Sequence, residues 1–368
     1  MIPCDEPVLP DYGGGCVSNV MAELLDPGTS APDWLPSSAQ GDGPVVLFVL
    51  DGLGWLQLQE RLSLAPMLRD LDGGPITTVA PSTTATALSS IATGLSPSEH
   101  GILGYRVMVD GAVLNILRWN TPDGDARRAI PPEQVQEHDP FLSQRPPVVS
   151  RAEFAASGFT VAHLRGGRYR GYRLPSSMVT EVDQALRRGE PFVYAYYDGL
   201  DKVSHEYGLG AHFDAELAAC DRLVADLAAA LPAGGRLVVI ADHGQVETGR
   251  AVLEIPPDIG SMLWGQSGEA RFRWLHAQPG QAARVLDEAT DAFADHAWVR
   301  SRSQIIDEGW FGPPPKPDHA ARLGDVALVA RDEYAFVDPA DSGLFELVGR
   351  HGSLTPDEMY VPLLSLHR

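Results

Sequence analysis

The sequence predicts an α/β fold in which a doubly wound, mostly parallel sheet carries a smaller inserted α+β subdomain. Continuous apolar runs such as Val45–Leu50 and Phe192–Tyr197 are typical of strands that are buried on both faces of a parallel sheet. These runs alternate with helical patterns, which implies right-handed β–α crossovers. The 368 residues, 44% of them hydrophobic, are enough for one large core and an additional smaller unit.

The chain divides into three predicted parts. Residues 1–43 are rich in Gly, Pro, Ser and Asp and form an arm with one short helix over 17–25. Residues 44–246 and 346–368 form the core, and residues 247–345 form the inserted subdomain, with strands over 271–276 and 324–330 and a helix over 279–293. The core has strands over 45–50, 75–80, 159–164, 192–197 and 236–241, a hairpin over 105–119, and helices over 84–92, 177–188 and 213–231, the last capped by Asp214.

The composition excludes several classes of partner. A net charge of −21 argues against nucleic-acid polymers and anionic membrane surfaces, whose binding requires basic patches. Small phosphate esters are not excluded, because bound metal cations can invert the local field. The N-terminus lacks the pattern of a secretory signal and no apolar run approaches transmembrane length, so a cytoplasmic protein is expected. The three cysteines make no disulfide framework, although Cys4 and Cys16 could pair, and Cys220 fits a helix core.

Acidic residues follow three of the predicted strands. Asp51, Asp201 and Asp242 lie at or just beyond strand ends, where ligands bind in open α/β sheets. Taken alone, Asp51 is as well explained as the cap of a helix that begins near Trp55.

Three histidines accompany these acids. His205 follows Asp201 by four residues, which places both on one helix face and suits a pair of metal ligands or, equally, a surface ion pair. His243 directly follows Asp242, and His351 lies in a glycine-flanked loop.

A hydroxyl-rich turn precedes the helix predicted over 84–92. Pro81 ends a strand, Ser82 or Thr83 can cap the helix, and Gly94 ends it. A hydroxyl in the first helical turn lies in the positive field of the helix dipole, which suits a nucleophile that attacks phosphorus. Such turns are more often only caps. The surrounding acids and histidines favour chemistry, because two metal ions about 4 Å apart can clamp the oxygens of a phosphoryl displacement.

Five motifs occur in an order that resembles the alkaline phosphatase superfamily, and within it the nucleotide pyrophosphatase/phosphodiesterase branch (type I phosphodiesterases). They are Val49–Gly52, Pro81–Thr84 with Thr93–Ile102, Asp201–Gly208, Ala241–Gly244 and Gly349–Gly352. The resemblance implies that Thr84 is the nucleophile and forms a phosphothreonine that water hydrolyses. It also implies two divalent metal ions, zinc or alternatively manganese, one bound by Asp51, Asp242, His243 and Thr84 and the other by Asp201, His205 and His351.

The chain departs from this family pattern near the nucleophile. Ala85, Thr86 and Ala87 stand where family diesterases usually have Phe-Pro-Asn, which puts a nucleotide preference in doubt. Tyr105 stands where the family has an Asn that donates to a phosphoryl oxygen, and nearby Asn115 is an alternative donor. His100 belongs to a motif but is interpreted as structural, as are the remaining histidines: His138, His163, His212, His276, His296, His319 and His367.

Three functions follow as hypotheses. The first is a two-metal phosphodiesterase that acts on a small phosphate diester or pyrophosphate. The second is a phosphomonoesterase or phosphonate hydrolase, which requires an additional cation; Arg118, Arg165 and Arg350 are the candidates. The third is a catalytically silent protein that binds a phosphorylated ligand. Whether the inserted subdomain covers the site or mediates a homodimer stays open.

Overall fold

The computed structural model describes residues 5–28, 30–337 and 346–368. Its helices are α1 (Val17–Leu25), α2 (Trp55–Gln59), α3 (Pro66–Arg69), α4 (Thr84–Thr93), α5 (Pro97–His100), α6 (Pro132–Val135), α7 (Gly158–Leu164), α8 (Pro175–Arg187), α9 (Gly199–Tyr207), α10 (Ala211–Ala230), α11 (Pro257–Gly260), α12 (Ala282–Phe293), α13 (Arg302–Asp307), α14 (Pro317–Ala320) and α15 (Pro356–Met359).

The strands follow the same chain order. They are β1 (Val45–Leu50), β2 (Asp72–Thr77), β3 (Arg106–Val109), β4 (Ala112–Asn115), β5 (Asn120–Thr121), β6 (Gly124–Asp125), β7 (Pro147–Arg151), β8 (Arg168–Tyr172), β9 (Phe192–Tyr197), β10 (Arg236–Ile240), β11 (Val246–Glu247), β12 (Val252–Leu253), β13 (Leu263–Glu269), β14 (Phe272–Ala277), β15 (Ala297–Ser301), β16 (Val326–Ala330), β17 (Ala335–Phe336), β18 (Gly349–Arg350) and β19 (Tyr360–His367).

A seven-stranded sheet in the order β2-β19-β10-β1-β9-β7-β8 forms the centre of the molecule. Strand β1 pairs in parallel with β9 and β10, and β7 pairs in parallel with β8 and β9. Strand β19 is antiparallel to both of its neighbours, β10 and β2. Every residue of β1 and β9 is buried, as expected for strands covered on both faces. The predicted doubly wound, mostly parallel fold is confirmed.

Antiparallel sheets complete the fold. Strands β3 to β6 form one, and β13, β14, β16 and β15 form another within residues 263–330. Phe272, Trp274 and Trp310 of this second sheet region share an apolar cluster with Leu103 and Met359, so the region packs tightly on the core. The predicted domain boundaries themselves stay a prediction.

Most of the predicted elements are confirmed, including α1, β1, α4, β9 and the β3–β4 hairpin. Gly94 ends α4 with a φ of 72°. The strand expected over 159–164 is wrong: the segment is helix α7, because the Ser157 hydroxyl accepts the N–H of Thr160 at 3.0 Å and caps a helical turn. Its β-branched residues had suggested a strand.

Three further differences concern the ends of elements and the edge of the sheet. Strand β2 lies three residues before the predicted strand over 75–80. Helix α10 begins at Ala211 after Gly210, so Asp214 does not cap it and instead accepts a hydrogen bond from Arg61 Nε at 2.8 Å. Strands β7 and β8 were not predicted.

The remaining expectations concern the cysteines and membrane-spanning helices. Cys16 and Cys220 are buried free thiols, and Cys4 lies outside the described residues. Over the described ranges, no helix combines the length and apolar character required to cross a bilayer.

Candidate metal centre and active site

The carboxyl ends of three neighbouring strands define the site. Asp51 directly follows β1, Asp242 follows β10, and Asp201 lies in the first turn of α9 after β9. Because β1 lies between β9 and β10, the three carboxylates meet at one edge of the sheet. Gly52 has a φ of 77°, and a Cβ there would lie only 3.0 Å from the Asp201 backbone, so this close approach requires glycine.

Thr84 is the first residue of α4 and lies against this edge. Thr83, the residue before it, is the N-cap but makes no side-chain capping bond. The Thr84 hydroxyl lies instead 3.1 Å from His243 Nε2. Among the described residues, nothing accepts the backbone N–H groups of Thr84 and Ala85. The helix start therefore places a hydroxyl next to two backbone donors that are available to a phosphoryl group.

Four side chains form the first candidate metal cluster around His243 Nε2. Asp51 Oδ1 lies 3.4 Å from this nitrogen, Asp242 Oδ2 lies 3.5 Å from it, and Thr84 Oγ1 lies 3.1 Å from it. The ligand atoms of a tetrahedral zinc ion, each about 2.1 Å from the metal, lie about 3.4 Å apart. The three distances to His243 Nε2 match this spacing, and Asp51 and His243 also form a close group with Asp201.

Three side chains form the second cluster around Asp201 Oδ1. His205 Nε2 lies 3.2 Å from this oxygen and His351 Nε2 lies 3.7 Å from it. Asp201 also lies within 4.8 Å of the ligand atoms of Asp51 and His243, so it stands between the two clusters. All seven side chains that the resemblance implied as ligands thus lie together in two adjoining groups.

The hydrogen bonds of the imidazoles fix which nitrogen faces the site. His205 Nδ1 contacts the carbonyl of Gly349 at 2.8 Å, His243 Nδ1 that of Gly244 at 3.0 Å, and His351 Nδ1 that of Ser82 at 2.9 Å. A carbonyl oxygen only accepts, so each Nδ1 carries the hydrogen and each Nε2 presents a lone pair. These lone pairs face carboxylate oxygens, an arrangement that calls for a cation between them.

Two carboxylate groups of the site have buried oxygen atoms without hydrogen-bond partners in the described part of the chain. Asp51 Oδ1 and Asp242 Oδ2 have no hydrogen-bond partner among the described residues, and both side chains are almost fully buried. Burial raises the pKa of Asp51, with Asp242 and Asp201 adding to the rise, and burial also raises the pKa of Asp242. These residues fit a pair of divalent cations, and carboxylates with imidazoles suit zinc or manganese.

We expect added zinc to stabilise the metal-free protein more at pH 7.5 than at pH 5. A carboxyl group whose folded-state pKa is raised contributes its full stability below the unfolded pKa of about 4 and loses it as the pH rises through the folded pKa. The metal-free protein therefore carries a penalty at pH 7.5 that zinc removes, whereas at pH 5 protons compete with zinc for Asp51 and Asp242. The melting temperature with and without zinc measures this difference. An Asp242→Asn variant should lose most of the shift, and an equal shift at both pH values would contradict the prediction.

Two side chains that support the ligands were missed by the sequence analysis. Gln245 is fully buried and donates from Nε2 to Asp201 Oδ1 at 2.6 Å. The Tyr196 hydroxyl donates to Asp51 Oδ2. The only signals in the sequence are their positions, two residues after His243 and inside a strand that ends beside the site. Neither residue type suggests a metal-supporting role by itself.

Replacing Gln245 with Met is expected to weaken zinc binding by about 10-fold, the lower end of the effect of removing such supporting hydrogen bonds. Met fills a similar volume but cannot hold Asp201 Oδ1 in place. Competition with a chromophoric chelator measures the affinity. Gln136→Met is the matched control, because Gln136 is equally buried but donates to the carbonyls of His138 and Ala162. Equal zinc affinities for the two variants would contradict the role of Gln245.

A cavity of about 300 Å³ opens beside Thr84, Asp51 and Asp201. Of the three candidate arginines, only Arg118 lines this cavity. Arg165 instead donates to backbone carbonyls, and Arg350 contacts Thr248. The remaining lining of the cavity is mainly apolar and aromatic: Leu88, Leu117, Phe154, Phe159, Leu164, Tyr194 and Tyr196, with Ser150, Ser157, Thr160, His163, Asp198 and Lys202.

The two candidate phosphoryl donors, Tyr105 and Asn115, contact one another. Asn115 Nδ2 donates to the Tyr105 hydroxyl at 2.7 Å, and Asn115 Oδ1 accepts the N–H of Arg118 at 3.0 Å. Neither residue lines the cavity. Asn115 is thus occupied at both ends of its amide, while the hydrogen of the Tyr105 hydroxyl stays free to donate.

Comparisons with known proteins identify the family of the chain. Residues 45–169 and 173–354 match the model of the family described as type I phosphodiesterase/nucleotide pyrophosphatase. Among curated protein sequences, none matches the chain.

Solved structures share the fold. Mouse ectonucleotide pyrophosphatase/phosphodiesterase 5 is similar at 17% identity over 88% of both chains, with a TM-score of 0.65. An inactive variant of it in complex with AMP is similar at 16% identity over 88% of both chains, with a TM-score of 0.65. Phosphonoacetate hydrolase from Sinorhizobium meliloti 1021, in complex with phosphonoformate, is similar at 18% identity over 91% of this chain and 90% of that one, with a TM-score of 0.63.

Proposed function

Because the chain belongs to the type I phosphodiesterase/nucleotide pyrophosphatase family, we propose that it hydrolyses small phosphate diesters or pyrophosphates at two divalent metal ions through a phosphothreonine at Thr84. The observation that carries the proposal is the position of His243 Nε2, which lies 3.1 Å from the Thr84 hydroxyl and 3.4 Å from Asp51 Oδ1. The proposed nucleophile and a proposed metal ligand thus lie next to the same imidazole nitrogen.

Thr84 and the backbone at the start of α4 would have separate roles in the reaction. Thr84 Oγ1 forms a bond to phosphorus while the bond from phosphorus to one ester oxygen breaks, and that oxygen takes up the proton of the hydroxyl and leaves as an alcohol or phosphate. Water then attacks the same phosphorus, which releases the product phosphate and restores the hydroxyl. The N–H groups of Thr84 and Ala85 would hold a phosphoryl oxygen. The metal ions, when bound, would supply positive charge that lowers the pKa of the hydroxyl and stabilises the reacting oxygens.

The apolar cavity supports a small organic group as one substituent of the ester. Its volume of about 300 Å³ lies at the lower end of the range of ligand pockets. The net charge of −21 agrees with a small substrate rather than a nucleic-acid polymer. The cytoplasmic location and the homodimer stay predictions.

A phosphomonoesterase or phosphonate hydrolase is the second candidate. It is favoured by Arg118, which brings a cation into the cavity next to Thr84. A monoester or a phosphonate presents one more unesterified oxygen, and therefore more negative charge, than a diester. The similar Sinorhizobium protein is a phosphonoacetate hydrolase, which makes phosphonoacetate a suitable third test compound.

The proposal is tested by the turnover of bis(p-nitrophenyl) phosphate, p-nitrophenyl phosphate and phosphonoacetate by the zinc-loaded and the manganese-loaded protein. We expect the diester to have the highest kcat/KM. Faster monoester or phosphonate cleavage would favour the second candidate. Bound metal without turnover of any of the three compounds would favour a silent binder of phosphorylated ligands and would contradict the proposal.

A further inference from the structure

Two basic side chains line the cavity beside Thr84, and only one of them is neutralised. Lys202 Nζ lies 2.6 Å from Asp198 Oδ2, and Asp198 also pairs with Arg151 Nε at 2.5 Å. Within the described part of the chain, no carboxylate oxygen lies within 4.0 Å of the Arg118 guanidinium. Arg118 therefore brings to the cavity a positive charge that has no carboxylate partner among the described residues, in a chain whose overall charge is −21.

The backbone holds Arg118 at this place. The N–H of Arg118 donates to Asn115 Oδ1 at 3.0 Å. The next residue, Trp119, is fully buried and donates from Nε1 to the carbonyl of Ile130 at 2.7 Å. Trp119 has a φ of 53°, which bends the chain sharply after Arg118. The anchored turn leaves the arginine side chain exposed, so it lies where the cavity meets solvent.

Arg118 lines the same cavity as the metal ligands without pairing with them. Asp51 and Asp201 line this cavity, and their carboxylates lie more than 4.0 Å from the guanidinium. The wall of the cavity is largely apolar and includes Leu117 and Phe159. A substrate whose phosphorus lies at Thr84 therefore has both apolar side chains and, within the described ranges, an unpaired guanidinium along the same cavity.

We propose that Arg118 binds an anionic group, a carboxylate or a second phosphate, on the organic part of the substrate. The inference rests on the proposed function, in which the protein hydrolyses a phosphate ester at Thr84. A guanidinium matches both anions with two parallel hydrogen bonds, which makes Arg118 a specificity-determining residue. The preferred substrate class is a phosphate ester of a compact apolar or aromatic alcohol that carries a second negative charge.

A matched pair of esters tests this assignment by turnover. The zinc-loaded protein is given p-nitrophenyl 4-carboxybenzyl phosphate and p-nitrophenyl benzyl phosphate. We expect the carboxylated ester to have about 10-fold higher kcat/KM, an effect typical of one charge-assisted pair. Arg118→Gln should reduce the preference to less than about 2-fold by slowing only the carboxylated ester, and Arg118→Lys should retain part of it. Arg222→Gln, which removes an exposed arginine on α10 away from the cavity, should change neither ester.

A binding measurement separates this inference from the proposed function. Titration calorimetry compares benzylphosphonate, 4-carboxybenzylphosphonate and p-xylylenediphosphonate with the zinc-loaded wild type and the Arg118→Gln variant. The inference is supported if either charged ligand binds the wild type more tightly than benzylphosphonate and loses this advantage in Arg118→Gln, even if no ester turns over. The charged ligand that binds more tightly then identifies the preferred anion. Wild-type protein without preference for a charged ligand overturns it. So does an equal loss of all three ligands in Arg118→Gln, which would place the guanidinium on the phosphoryl group.

Discussion

Replacing Thr84 with Ala is expected to lower kcat of the metal-loaded protein by about 10⁴-fold or more, in line with the loss of the nucleophile in other covalent hydrolases. The variant keeps the start of α4, because the N-cap is Thr83, and it removes the oxygen that lies 3.1 Å from His243 Nε2 together with one methyl group. Initial rates on bis(p-nitrophenyl) phosphate measure the loss. Acid quenching followed by mass spectrometry should find a substrate-derived phosphoryl group on the peptide that contains Thr84, and none in the variant.

Two neighbouring variants control this experiment. Thr84→Ser keeps a hydroxyl and should retain activity within about 10-fold, because the bond to phosphorus can still form. Thr83→Ala removes an equally buried hydroxyl one residue earlier and should change kcat only a few-fold, since that side chain makes no capping bond. If Thr84→Ala retained wild-type rates, water would attack phosphorus directly and the covalent step would be wrong.

The part of the site that lies at strand ends could be predicted from the sequence. Buried apolar runs mark the central parallel strands, and the residues just after them meet at one sheet edge whatever the details of the loops. This rule placed Asp51 and Asp242 at the site, although a helix cap explained Asp51 equally well from the sequence taken alone. The roles of Thr84 and of the two ligand sets were implied only by the resemblance, and the structure adds that Asp201 stands between the two clusters.

The cavity could not be predicted in the same way. Its wall comes from segments that are distant in sequence, and one of them, α7, was predicted as a strand. The choice among three arginines depends equally on tertiary packing. Arg165 is occupied by backbone carbonyls and Arg350 contacts Thr248, whereas Arg118 reaches the cavity, and no local pattern distinguishes them.

A buried ion pair joins the turn between β13 and β14 to helix α15, which follows the loop that carries His351. Arg271 Nε donates to Glu358 Oε1 at 2.7 Å, and both side chains are fully buried. Glu358 also accepts the N–H of Ser353 at 2.9 Å and the hydroxyl of Thr355 at 2.6 Å. Glu358→Gln leaves the Arg271 charge uncompensated, and we expect it to lower the free energy of unfolding by about 3–5 kcal/mol.

Urea unfolding followed by circular dichroism measures this loss, with Glu288→Gln as the matched control. The Arg284–Glu288 pair has a similar N–O distance of 3.1 Å, but its side chains are 64% and 39% exposed. Water screens such a pair, so its loss should cost less than about 1 kcal/mol. The double variant Arg271→Met/Glu358→Met removes both charges and should recover part of the stability lost in Glu358→Gln. It avoids the cost of an unpaired charge, but the donors of Ser353 and Thr355 lose their acceptor. Equal effects of Glu358→Gln and Glu288→Gln would show that Arg271 finds other compensation. The ion pair would then not be what holds α15 to the turn between β13 and β14.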